Sequence, residues 1–167
     1  MIKAAHFSAV LLVMVSMFTT TLGCGNHRRK NRGPSYPVGN LWVYCPPEFT
    51  QEQITLILES VEIHLDHFEQ DWEHPTRPCP VYVLDTDFVP CDQVNAIGCF
   101  STPPDAITVI AGEHLQVPAL YHELWHLNMG DFEHASNQWV LINQTMSIIN
   151  FEIINQRNLL PVPASEN

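Results

Sequence analysis

His122-Glu123-Leu124-Trp125-His126, followed by Gly130, Asp131 and His134, is the stretch that decides how this chain is read. On an α-helix, residues four apart stand one above the other on the same face. Two imidazoles at that spacing, His122 and His126, can hold one Zn²⁺ at about 2.0–2.1 Å each. Glu123 is one position on, turned toward the same cleft, where it can take a proton from an activated water without binding the metal. Leu120, Leu124 and Leu127 form an apolar stripe on roughly the opposite side of the helix. One side then packs on a core while the other faces a cleft. Gly130 is the expected stop, because glycine accepts the positive φ of a left-handed cap. The turn there brings His134 back toward the metal as a third ligand. The bland alternative is a surface helix whose two histidines are solvated.

Outward from this helix, the chain reads as alternating strands and helices. Residues 137–156 form a last helix, with Ile142, Met146, Ile149 and Ile153 on one face. Upstream, residues 96–101 and 106–111 look like a hairpin around Thr102-Pro103-Pro104-Asp105. Pro118 is expected in the first turn of the motif helix. Residues 41–45 and 81–84 are short β-branched and aromatic runs, and so strands. Between them, Thr50 reads as an N-cap, with Gln53 completing a capping box and Phe49 stapling onto Ile54. Ile54, Ile57, Leu58, Val61, Leu65, Phe68 and Trp72 then keep helical period until Pro75 and Pro78 end the helix.

The order strand–helix–strand–hairpin–motif helix–helix resembles the zincin metallopeptidases. The likeness spans about residues 41–156 in topology and residues 122–134 in motif. It implies an α/β (α+β) fold: a small mixed sheet backed by an N-terminal helix and the HExxH helix, with a C-terminal helix. It also implies that the strand around residues 97–100 is the edge lining a substrate cleft. The chain departs from the metzincin pattern. There the third histidine follows the second by six residues, with a glycine three after it; here position 129 is Met, the glycine is Gly130, and His134 comes eight after His126. Two other ligands therefore stay open: Asp131, since snapalysin-like zincins use an aspartate, and Glu152, since gluzincins use a glutamate on a later helix. No metzincin-type Met-turn is evident, and Met146 reads as core.

With His122, His126 and His134 as ligands, three neutral imidazoles leave Zn²⁺ its double charge and one open position. Glu123 is then the general base, and it passes its proton to the leaving amine. Asp131 is a candidate to orient a ligand histidine. The expected activity is zinc-dependent hydrolysis of a peptide or protein. Two other classes compete with it. One is a zincin-like module that holds a peptide or wall fragment without useful turnover. The other is a structural envelope lipoprotein with zinc as a staple. An intact Glu123 favours the enzyme. His64, His67, His74 and His114 read as solvated or as local hydrogen-bond partners, and Trp125 and Trp139 as packing. Tyr121 and His114 are near enough in sequence to serve as minor oxyanion candidates.

The N-terminus looks like an address. Lys3 precedes an apolar run over residues 7–18, too short for a good membrane span, and Thr21-Leu22-Gly23-Cys24 follows. This resembles a bacterial lipoprotein signal, with Cys24 as the lipidated residue; an ordinary secretory signal is the alternative. The expected division is a signal peptide over residues 1–23, a lipid-anchored tether over 24–37, the peptidase domain over 38–160 and a tail over 161–167. The tether holds Arg28, Arg29, Lys30 and Arg32, a charge that attracts anionic head groups. Beyond it lie only Arg77 and Arg157 against all eighteen acids, a balance near −16 where the whole chain stands at −11. That disfavours nucleic acid as a partner. The expected location is the bacterial envelope, held by the anchor, or the medium; no oligomeric state is specified.

Cys45, Cys79, Cys91 and Cys99 remain, an even number in an exported chain, which suggests two disulfides. Three pairings exist. Cys91–Cys99 closes a short loop and is favoured, leaving Cys45 with Cys79. If strands 41–45 and 81–84 are adjacent and parallel, however, those last two sulfurs lie at opposite ends. The absence of any CxxC pair argues against a second zinc site.

Overall fold

The structure, a computed structural model, describes residues 33–92, 94–130, 134 and 136–158. The proposed signal, most of the tether, Asp131 and the tail lie outside them. A five-stranded mixed sheet runs in the order β1-β2-β3-β7-β6, formed by β1 (Ser35–Val38), β2 (Leu41–Tyr44), β3 (Cys79–Leu84), β7 (Ala106–Ile110) and β6 (Gly98–Ser101). β2, β3 and β7 are parallel, while β1 and β6 are antiparallel edges. A two-stranded hairpin, β4 (Val89–Cys91) and β5 (Val94–Ala96), stands apart from the sheet. The helices are α1 (Gln51–Trp72), α2 (Leu120–Met129) and α3 (Gln138–Asn158). Among the described residues no helix is long and apolar enough to cross a membrane.

The expected α/β architecture is present, with the motif helix set against a mixed sheet in a zincin-like arrangement. α1 starts where the capping box puts it: Gln53 N–H donates to Thr50 Oγ1 at 3.2 Å, and Thr50 N–H donates to Gln53 Oε1 at 2.8 Å. Its apolar face, Ile54, Ile57, Val61, Leu65 and Phe68, joins Leu41, Val43, Val81, Val83, Ile107 and Val109 in one core. Alternation along β2 and β3 sends these strand residues to a single face. Tyr44 and Tyr82 stack at 5.0 Å on the other. An aromatic cluster bolts α1 to α2: Trp125 meets Phe68 at 5.4 Å and Trp72 at 5.3 Å, both edge to face. Glu73 takes a left-handed conformation at φ 61° and closes α1, just ahead of Pro75.

Several expectations need correction. Ser35, Tyr36 and Pro37, placed in the tether, belong to β1, which pairs with β2 from Ser35↔Tyr44 to Val38↔Leu41. The run is too short and too exposed for a burial pattern to reveal it. The small β4–β5 hairpin escaped for the same reason. Pro118 precedes α2 rather than opening it, since the cap is Ala119. No Cys45–Cys79 bridge exists. Cys79 pairs in register with Leu41, so Cys45 lies four residues farther along the parallel partner, about 13 Å away at strand rise. Both thiols are buried, and burial pushes the Cys45 thiol up to about 11.

His64 on α1 is fully buried, and neither ring nitrogen has a hydrogen-bond partner of good geometry. Burial lowers its pKa from 6.5 to about 3, His67 adds repulsion, and nearby Asn150 opposes the shift. The unfolded chain therefore takes up a proton near pH 6.5 that the folded chain refuses until about pH 3. The stability from keeping His64 neutral is complete above the upper value and is lost as pH falls through this window. In urea titrations at pH 7 and at a pH inside the window, His64→Leu is expected to flatten that loss. An unchanged slope would assign the acid sensitivity to carboxylates alone.

Candidate metal centre

α2 carries His122 and His126 on one face and ends at Gly130, whose φ of 69° is the left-handed cap read from the sequence. His126 O accepts from Gly130 N–H at 3.0 Å. Past that turn, His134 folds back over the helix with its own φ at 54°. The result is a triad. Nε2 of His122 lies 3.0 Å from Nε2 of His126 and 3.0 Å from Nε2 of His134. Zinc held at ~2.05 Å by tetrahedral ligands spaces them ~3.3 Å apart, close to both of those separations, and all three ligand atoms lie within 4.8 Å of one another. Among the described residues these three histidines form the one cluster with metal-binding geometry. Burial lowers the His122 pKa to about 4. Asn143 opposes that shift, and the neighbouring His126 and His134 reinforce it. The outcome keeps His122 in the neutral form a metal requires.

The other contenders separate here. Glu152 is not in the cluster; its carboxylate lies 3.7 Å from His67, on the outside of the helices. A gluzincin ligand set is thereby set aside, because the turn of α3 that bears Glu152 faces α1 rather than the motif. Asp131 lies outside the described residues. Tyr121 is no oxyanion candidate, since its ring is in the aromatic cluster and its hydroxyl is bonded to Asp71. His114, exposed, does not line the cleft.

Glu123 is 5 % exposed and points at the edge strand. The Phe100 backbone N–H donates to its carboxylate, while burial, the larger effect, pushes the carboxyl up to about 8. Gly98 makes the approach possible. A Cβ there would stand 2.5 Å from Ala119 Cβ and 2.8 Å from Glu123 Oε1. Glycine in β6 thus lets α2 come down onto the strand.

A cavity of about 330 Å³ opens beside these groups, lined by all three histidines, Glu123, Asn143 and apolar Val94, Ala96, Ile97, Phe100 and Met146. One wall is β6, the edge strand expected there, and another is the β4–β5 hairpin. The Cys91–Cys99 disulfide ties that hairpin to β6, with Cα atoms 5.6 Å apart. Sequence reading did not place the hairpin at the cleft, which depends on the bridge together with the packing of Val89 against Leu84, Cys99 and Ile110. It also missed Asn143, whose amide oxygen lies 2.9 Å from His122 Nδ1. Trp139, read as packing, is buried against all three imidazoles.

No family model, curated protein or solved structure matches this chain. The assignment therefore stands on residues and geometry. The His122–His126–His134 triad has the arrangement of a zincin metallopeptidase active site, consistent with zinc peptidase chemistry.

Proposed function

We propose that this chain is an exported, lipid-anchored zinc peptidase. The observation that carries the reading is the convergence of three Nε2 atoms beside a buried glutamate in an open cleft. A purely structural zinc site has no use for Glu123 or for the cavity.

His122, His126 and His134 hold the ion. Zinc in that position supplies Lewis-acid activation of water and of a scissile carbonyl. Glu123 takes the proton of the attacking water and delivers it to the leaving amine. Its burial suits that work, because a carboxylate in an apolar site is a stronger base than one in water. A dication held by the three histidines would favour the ionised form of Glu123, the form that accepts a proton. Phe100 N–H fixes the carboxylate's orientation. An extended peptide lies along β6, with side chains toward Val94, Ile97 and Met146.

The address belongs to the same reading. Residues 1–23 are removed as a signal, Cys24 carries the lipid, and the basic stretch that follows holds the domain near anionic head groups. β1 (Ser35–Val38) belongs to the domain, so the stretch that serves as tether lies before it. The test is zinc content together with cleavage of a mixed peptide library by the purified domain, read by mass spectrometry. One zinc per chain with turnover is expected. Zinc without any turnover turns the reading into a peptide-holding module, and absence of zinc removes it.

A further inference from the structure

α3 approaches the metal centre with two side chains one turn apart, Trp139 and Asn143. The Asn143 amide oxygen lies 2.9 Å from Nδ1 of His122. An amide oxygen only accepts hydrogen bonds. The imidazole proton therefore sits on Nδ1, and Nε2 keeps its lone pair. That Nε2 is the atom facing His126 and His134 at 3.0 Å. From the other direction, the Trp139 ring centroid lies 4.9 Å from that of His122 and 4.4 Å from those of His126 and His134. A flat indole against three imidazoles limits how far each can tilt. His122 is thus held at one nitrogen and along its ring.

We propose that Asn143 is a positioning residue of the metal centre, fixing the Nδ1–H tautomer of His122 so that its Nε2 is aimed at the ion. The proposal rests on the zinc reading above but goes beyond its ligand set. An acceptor on the far nitrogen orients a ligand imidazole and raises its basicity. The acceptor here is a neutral amide, which polarises the ring less than a carboxylate does. Asn143 stands on the exposed side of α3, where replacements leave the core packing intact.

Two variants separate orientation from bulk. Asn143→Leu removes the acceptor, and Asn143→Asp keeps it and adds charge. Zinc affinity, read by competition with a chromophoric chelator, is expected to fall about 10–100-fold in Asn143→Leu. It is expected to return to wild-type strength or tighter in Asn143→Asp. In the zinc-free proteins, nitrogen-15 shifts of the His122 ring should report the Nδ1–H tautomer in wild type and Asn143→Asp, and a mixture in Asn143→Leu. A loss under about threefold in Asn143→Leu, or an equal loss in both variants, overturns the proposal. If wild type binds no zinc at all, the peptidase reading fails by itself. The His122 tautomer in the zinc-free proteins still decides for or against Asn143.

Discussion

Glu123→Gln is expected to lower kcat for peptide hydrolysis by about 10³-fold or more while zinc content and KM stay close to wild type. The amide matches the carboxyl in shape but cannot accept the proton of the attacking water. Folding should tolerate the change. In the zinc-free protein burial pushes the Glu123 carboxyl up to about 8, so folding at neutral pH carries the cost of burying or protonating a group that ionises freely in the unfolded chain, and the neutral glutamine amide escapes that cost. Glu123→Asp should fall between the two, since losing one methylene draws the carboxylate away from Phe100 N–H. The measurement is kcat at matched zinc occupancy, with occupancy fixed by elemental analysis. Full activity in Glu123→Gln would show that the proton is handled elsewhere.

The second large effect is on the metal. His122→Ala and His126→Ala should each abolish stoichiometric zinc, because two remaining imidazoles rarely hold the ion tightly. His134→Ala should weaken binding by orders of magnitude, even though its side chain is exposed and it is the member of the triad that does not belong to α2. Glu152→Ala should leave affinity unchanged, since its carboxylate is engaged near His67. Chelator competition on the four variants ranks them. Zinc stripped by Glu152→Ala and retained by His134→Ala would replace the triad with a gluzincin ligand set.

What the sequence by itself determined is what depends on short-range order. Helical repeat puts His122 and His126 on one face whatever surrounds them. Glycine's freedom at positive φ stops α2 at Gly130, and the Thr50–Gln53 box with an apolar repeat starts α1 and gives it its buried face. The tight Cys91–Cys99 loop was legible for a similar reason, as eight residues keep two thiols near each other. Tertiary structure alone decided the rest. The parallel register of β2 and β3 separated Cys45 from Cys79, and strand pairing turned the end of the tether into β1. His134 is already the third ligand that the sequence favours, but setting Glu152 aside required knowing which way α3 faces. Asn143 and Trp139 reach the triad across a helix packing, and Gly98 meets Glu123 across a helix–strand contact. Such contacts join residues far apart in the chain. Spacing and periodicity speak for one element at a time, whereas the direction in which two elements meet is set by the whole core.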